Sequence, residues 1–414
     1  MPVSPGVDNA TVPPGPVIAL IDGEHHPAAV RTALDRLDAE RGLAGVVFCG
    51  GEEKVLPGVL DDPEPYYGRG VLNGPAPAEA LRTLAASASV VIDLADEPVL
   101  PSRERLELAA HALHLGLAYE APGMRLDPPA YAPLDFAGPV LAVIGTGKRT
   151  GKTAVAGHWA GLLRDREPVI VCMGRGGPPE PQVAEPGTGL EELRALAAEG
   201  RHAASDYLED AVLAGVRTVG CRRVGGGPAG EPEESNVVEG AALAASLGPG
   251  AIILEGSGSC VPPVDAGRTV CLVGGRVEGL DLYRVLRADL CLLMADAEVD
   301  RPSIRCQLRP ELAEPLPAGA RAALFTTRAD SCDGLEPIVV STNLARRSEL
   351  AADLDRAAAE RCDVYLTELK AAAVDTVAVR AAAEGARVVF VRNRPVGLDG
   401  DLDSELMGLV PRDG

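Results

Sequence analysis

Gly145-Thr146-Gly147-Lys148-Arg149-Thr150-Gly151-Lys152-Thr153 follows the apolar run Pro139-Val140-Leu141-Ala142-Val143-Ile144 and opens a helical pattern from Ala154 to Leu163. Strand, glycine loop and helix, in that order, form the context that a phosphate-binding loop requires. The glycines let backbone N–H groups turn towards phosphate oxygens, and the helix N-terminus adds its partial positive charge. Lys152 is placed to reach the β- and γ-phosphates of ATP, and Thr153 to offer its hydroxyl to Mg²⁺. The spacing departs from the strict G-x-x-x-x-G-K-[ST], because Thr146 stands where the first glycine belongs and Gly145 precedes it. The predicted fold class is α/β, with a P-loop NTPase core and a mainly parallel sheet.

Outward from this loop, apolar runs alternate with helical patterns in both directions. Towards the N-terminus, strands are predicted at Val17–Ile21, Gly45–Cys49, Val90–Leu94 and Leu117–Glu120, with helices at 28–40, 81–86 and 103–115. That alternation predicts a smaller Rossmann-like α/β domain over residues 17–136, with a proline-rich linker between Pro122 and Gly138. Residues 1–16 read as a loose tail rather than a signal peptide, since no basic stretch precedes an apolar run. Asn9-Ala10-Thr11 matches a glycosylation acceptor only formally. Towards the C-terminus, strands are expected at Pro168–Cys172, Arg217–Cys221, Ala251–Leu254, Thr269–Val273, Leu290–Met294, Ala323–Thr327, Ile338–Ser341, Asp363–Thr367 and Ala386–Val391. A helix is expected from Leu369 to Glu384. The P-loop domain is assigned to 137–300, and 301–414 to an α/β region completing the core.

A chain of 414 residues exceeds one core. Its net charge of −21 argues against general nucleic-acid binding, which needs a basic face. No apolar stretch reaches the ~18 residues of a membrane helix. The nine cysteines are scattered without a C-x-x-C pair, which points to a reducing cytoplasm and away from disulfides or structural zinc. Basic charge is almost all arginine: the lysines are Lys54, Lys148, Lys152 and Lys370. Two of these in one short loop suggest that an ammonium is needed there. The expected assembly is a homodimer.

Further candidates lie at strand ends, where open α/β sheets collect their ligands. Glu255 closes an apolar strand about a hundred residues after the loop and is read as a Mg²⁺ ligand or a base, against a plain surface carboxylate. Arg175, in Met173-Gly174-Arg175-Gly176-Gly177-Pro178-Pro179, is a fork for phosphate or carboxylate, against a solvated loop arginine. Asp22, Glu24, His25 and His26 end the first strand, as a ligand site or a satisfied structural cluster. His111 and His114 read as helix-surface residues. Lys370 follows Glu368-Leu369 at a helix start, where its ammonium would meet substrate phosphate or simply water.

The loop form G-T-G-x-x-x-G-K-T is similar to that of dethiobiotin synthetase. Together with Asp22-Gly23-Glu24-His25, Met173 to Pro181, Glu255 to Ser259 and Glu368-Leu369-Lys370, the chain from about Val17 to Val396 resembles the cyclic 2,3-diphosphoglycerate synthetase family. His26 stands where that family carries an aromatic residue. The resemblance implies an ATP-dependent ligase closing 2,3-diphosphoglycerate into an intramolecular pyrophosphate, with release of ADP and phosphate. Lys152, Lys148, Arg175 and Glu255 would be catalytic, Thr153 and Glu255 would hold Mg²⁺, and Asp22, His25, Arg149, Arg175 and Lys370 would meet substrate. The alternatives are a carboxylate-activating ligase of the dethiobiotin-synthetase kind and a P-loop switch ATPase. Such switches carry a lysine five places before the loop lysine, where this chain has Gly147.

Overall fold

Five strands organise the first unit, residues up to Pro129 together with Glu278–Leu286. They are β1 (Val17–Ile21), β2 (Leu43–Phe48), β3 (Val90–Asp93), β4 (Ala118–Ala121) and β5 (Met124–Leu126), in the order β2-β1-β3-β4-β5. All pair in parallel except β5, which returns antiparallel on β4. The stretch expected as a linker from Pro122 therefore contains a strand. Every residue of β1 is buried, as an uninterrupted Val-Ile-Ala-Leu-Ile run requires when both sheet faces are covered. Leu34 and Tyr67 pack on one face, Leu81 and Ala109 on the other. The chain reverses direction between β1 and β3, the topological switch point of this sheet. This computed structural model describes residues 15–411 except 333; the tail up to residue 14, with Asn9-Ala10-Thr11, lies outside them.

The second unit, Ala130–Val277 and Arg287–Gly414, is built on a single sheet, 13-stranded among the described residues. Its strands are β6 (Val140–Gly145), β7 (Val169–Gly174), β8 (Gln182–Ala184), β9 (Arg217–Val224), β10 (Glu234–Ser235), β11 (Ile252–Glu255), β12 (Arg268–Val273), β13 (Leu290–Leu293), β14 (Ser303–Leu312), β15 (Ala322–Phe325), β16 (Val339–Ser341), β17 (Val364–Glu368) and β18 (Arg387–Gly397). The spatial order is β10-β9-β7-β11-β6-β12-β13-β14-β18-β17-β15-β16, with β8 on β9. From β9 to β14 neighbours are parallel, and β18, β17, β15 and β16 are parallel among themselves; the join between the two sets, β14 on β18, is antiparallel.

That join positions the site. Only Ser303–Arg305 of β14 pair with β13; Cys306–Leu312 run on past it and pair with Val391–Gly397 of β18. At about 3.3 Å per residue, β14 carries the second set roughly 20 Å beyond the carboxyl edge of the first. The second set then runs back in the opposite sense, so the carboxyl ends of the two sets face one another. The sheet is mainly parallel, as expected; besides the short antiparallel pairings of β8 and β10 on β9, its interior contains an antiparallel seam, formed by a strand not anticipated at Ser303–Leu312. The helix expected from Leu369 begins only at Ala373, with a wide turn to Ala378 and a regular helix over Val379–Glu384.

Candidate active site

The phosphate loop leaves β6, which is central to its sheet because it pairs with both β11 and β12. Leu141 to Ile144 are buried, and the following helix, Lys152–Leu162, sinks Val155, Ala156, Trp159 and Ala160 into the same core. Truncating a buried tryptophan costs about 3–5 kcal/mol, so Trp159 alone anchors this helix firmly. Gly151 enters the helix at φ 100°, a conformation that side-chain-bearing residues rarely adopt. Arg149 adopts a positive φ of 62° without being glycine. Backbone held in that region costs on the order of 1–3 kcal/mol and persists where the surroundings impose it.

Lys152 is buried, and its Nζ donates to the Gly147 carbonyl at 2.8 Å, folding the ammonium back over the loop. Burial lowers its pKa, against the attraction of Glu255 and Asp206. Lys148 and Arg149 stand exposed at the loop's tip. Thr153 Oγ1 donates to Glu255 Oε1 at 2.6 Å, joining the helix start to the end of β11. Burial and nearby Asp206 push the Glu255 carboxyl up to about 8, against the Thr153 hydrogen bond and Lys152. Its second oxygen, Oε2, is buried without a hydrogen-bond partner. An unsatisfied carboxylate oxygen beside a hydroxyl and a phosphate loop suits a hard cation with oxygen ligands, so the donor set fits Mg²⁺. Below Glu255, the Cys172 thiol donates to Asp210 Oδ2 at 3.5 Å; burial raises both pKa values, favouring the neutral forms.

These residues open onto a crevice of about 520 Å³ within the second unit, lined also by Arg175, Arg328, Glu368, Lys370 and Asn393. Arg175 stands exposed in the loop after β7, with Nη2 against the backbone of Gly258 after β11. Gly177 fixes that loop: a Cβ there would lie 1.9 Å from the Cys221 carbonyl oxygen. Lys370 Nζ pairs with Glu209 Oε1 at 3.2 Å, and this carboxylate holds the ammonium protonated well above its usual range. Ala371 beside it has φ 49°. The structure thus gathers Lys148, Arg149, Lys152, Thr153, Arg175, Glu255 and Lys370 in one crevice.

Asp22 and His25 lie in the first unit, at the carboxyl end of β1 and its switch point. Asp22 is wholly buried, and Oδ1 accepts from the Glu24 and His25 amides while meeting His25 Nδ1 at 2.7 Å. Its Oδ2 accepts from the Asp96 amide at 2.6 Å. Asp22 therefore organises the loops after β1 and β3, and leaves His25 half-buried at their rim. Sequence reasoning missed Glu209, Asp210 and Arg328, and quoted Glu368 only as part of a motif without giving it a role. Arg328 and Glu368 carried a signal, each being a charged residue just after a predicted strand.

No described helix is long and apolar enough to cross a membrane. Three family models match the chain: the N-terminal domain of cyclic 2,3-diphosphoglycerate synthetase over residues 16–127, its P-loop domain over 140–301, and its C-terminal domain over 326–394. A Rubrobacter xylanophilus protein named cyclic 2,3-diphosphoglycerate synthetase is 43% identical over 432 aligned positions, covering 92% of this chain and 95% of its own. Proteins of that name from Thermococcus kodakarensis and Thermococcus gammatolerans are 36% and 38% identical, covering 95% and 92% of this chain and 98% and 94% of theirs. With its phosphate loop and nucleotide-binding core matched in order and along nearly its whole length, the chain belongs to the cyclic 2,3-diphosphoglycerate synthetase family.

Proposed function

We propose that the phosphate-loop crevice closes 2,3-diphosphoglycerate into its cyclic pyrophosphate with ATP, releasing ADP and phosphate. The observation that carries this reading is the convergence in one crevice of Lys152, the Thr153–Glu255 pair and cations from three other loops, Arg175, Arg328 and Lys370. Lys152 and the helix N-terminus hold the β- and γ-phosphates and stabilise charge on the transferring group. Lys148 and Arg149 reduce the repulsion between ATP and an incoming phosphate. Mg²⁺, held by Thr153 and Glu255, would supply neutralising charge across the transferred phosphoryl group. A phosphate monoester is already largely dianionic at neutral pH, so its attack needs no general base. That favours the metal-ligand role of Glu255 over a basic one.

The γ-phosphoryl of ATP passes to one substrate phosphate, whose oxygen forms the new P–O bond as ADP leaves, giving a linear pyrophosphate ester. The second substrate phosphate then attacks the inner phosphorus, and the outer phosphate leaves with one oxygen from the substrate. Arg175 and Lys370 keep the two anions in line, where proximity replaces an encounter that their mutual repulsion opposes. The proposal includes a substrate role for Asp22 and His25, a cytoplasmic location and a homodimer, the last measured by light scattering. Phosphorus NMR of the protein with ATP, Mg²⁺ and 2,3-diphosphoglycerate is the test. Pyrophosphate resonances must replace both monoester signals as ADP and phosphate accumulate. Phosphate release from ATP with both monoester signals intact refutes the reading.

A further inference from the structure

We propose that Arg328, beside Lys370, binds the substrate phosphate that does not receive the γ-phosphoryl group, and that Glu368 positions it. This inference rests on the ligase reading above. Arg328 follows β15, and Lys370 follows β17. These strands are parallel neighbours, with Phe325 opposite Thr367, so their carboxyl ends lie side by side. Both residues line the crevice that contains the phosphate loop.

Arg328 is exposed and makes no ion pair with any described residue. Several arginines of the C-terminal strands and helices are matched to carboxylates, Arg347 to Asp375, Arg380 to Asp355 and Arg387 to Glu314. Arg309 and Arg394, on β14 and β18, are unmatched among the described residues like Arg328, but do not line this crevice. In a chain of net charge −21, an unmatched guanidinium in a phosphate-loop crevice marks a place for an anion. Lys370 supplies a second positive charge, kept on by Glu209. A guanidinium fork beside an ammonium suits a phosphate dianion better than a carboxylate, which carries one charge.

Glu368 makes the position of Arg328 definite. Its buried carboxylate accepts from the Thr327 amide and the Thr327 hydroxyl, each at 2.8 Å through Oε2. Oε1 accepts from Asn393 Nδ2 at 3.0 Å. Both oxygens are thus engaged, and they tie the residue directly before Arg328 to β18. A carboxylate spent in this way acts as a clamp on the loop.

The test combines steady-state kinetics with calorimetric binding for the wild type, Arg328→Gln, Arg328→Lys and Glu368→Gln. Losing a charged contact of 1.5–3 kcal/mol corresponds to roughly 10- to 100-fold. Arg328→Gln is expected to raise KM for 2,3-diphosphoglycerate by that factor with KM for ATP unchanged, and Arg328→Lys to recover part of it. Glu368→Gln should raise the same KM with kcat largely retained; equal damage to both KM values together with a lowered Tm makes Glu368 merely structural. The bisphosphate of propane-1,2-diol, which lacks the carboxylate, distinguishes the bound group. If the Arg328→Gln effect on binding persists with this probe, the contact is to phosphate; if it vanishes, the contact is to carboxylate and the proposal fails. An unchanged KM in Arg328→Gln, in a protein whose wild type forms the cyclic product, also overturns it. A wild type that forms no product instead refutes the ligase reading itself.

Discussion

Gly177→Ala and Gly176→Ala form a matched pair that tests how the Arg175 loop is held. At Gly177 a Cβ would lie 1.9 Å from the Cys221 carbonyl oxygen and 2.5 Å from the carbonyl carbon, and both are backbone of β9. Ordinary contact begins at 3.4 Å, so the loop must withdraw from β9 by about 1.5 Å, since no flexible side chain stands in the way to yield. Overpacking of this kind costs about 1–3 kcal/mol of stability. A misplacement of about 1 Å at a positioning residue can cost ~10²-fold in rate, which is about 2.7 kcal/mol of transition-state stabilisation. At Gly176 the nearest atom to a Cβ is His202 Cδ2 at 3.8 Å, so alanine fits there. Thermal unfolding and kcat/KM for 2,3-diphosphoglycerate measure both effects. Gly177→Ala should lower Tm by several degrees and kcat/KM by about two orders of magnitude, with Gly176→Ala close to wild type. Equal behaviour of the two variants would refute the claim that the close approach to β9 places Arg175.

Lys152→Ala should retain the fold by circular dichroism and lose ~10²- to 10³-fold in turnover, because the charge it brings to the transferring phosphoryl group disappears; near-normal turnover would remove the loop from the mechanism. Arg175→Lys keeps the charge and loses the fork, so activity should fall while ATP affinity, measured by calorimetry, stays within a few-fold. Glu209 should impose a pH dependence on stability. Its folded pKa is pushed up to about 7, chiefly by burial, from an ordinary 4.5, so its contribution is full below pH 4.5 and lost as pH rises through about 7. Denaturant titrations at pH 4 and pH 8 should show a loss in wild type that shrinks by about 3 kcal/mol in Glu209→Gln, and an unchanged loss would contradict the assignment.

Much of the site was legible wherever a local pattern carries the chemistry. The phosphate loop announces itself because glycines, a strand and a helix occur in order. Glu255 does so because a carboxylate that ends an apolar strand has few other reasons to be there. Glu209 and Asp210 were not legible. They are adjacent acids on the helix Asp206–Leu213, and charge alone argues for exposure, yet both are buried. Only the tertiary position of Lys370 and Cys172 explains them. The strand Ser303–Leu312 was readable and was missed. Ile304, Cys306 and Leu308 alternate with Arg305, Gln307 and Arg309, but Pro310 and Glu311 read as a break in the pattern. Lys370 was expected at a helix start; the left-handed Ala371 after it delays the helix to Ala373.

The missed strand matters more than its length suggests, because β14 decides what the crevice can do. Had it ended at Arg305, where its pairing with β13 stops, only one set of strand ends would bound the phosphate loop. By continuing to Leu312 along β18, it brings β17 and β15 round to face that loop with their own carboxyl ends. Strand ends in open α/β sheets gather ligands, and here the rule applies from two sides to one volume. Ring closure between two phosphates on adjacent carbons requires both anions to be held, since their repulsion favours splaying them apart. A single strand-end cluster grips one of them. Two facing clusters, Lys152 with Arg175 on one side and Arg328 with Lys370 on the other, can grip both within the same crevice. The acidic bulk of the chain then contributes as well, because positive charge concentrated in a protein of net charge −21 is an anion site with few competitors.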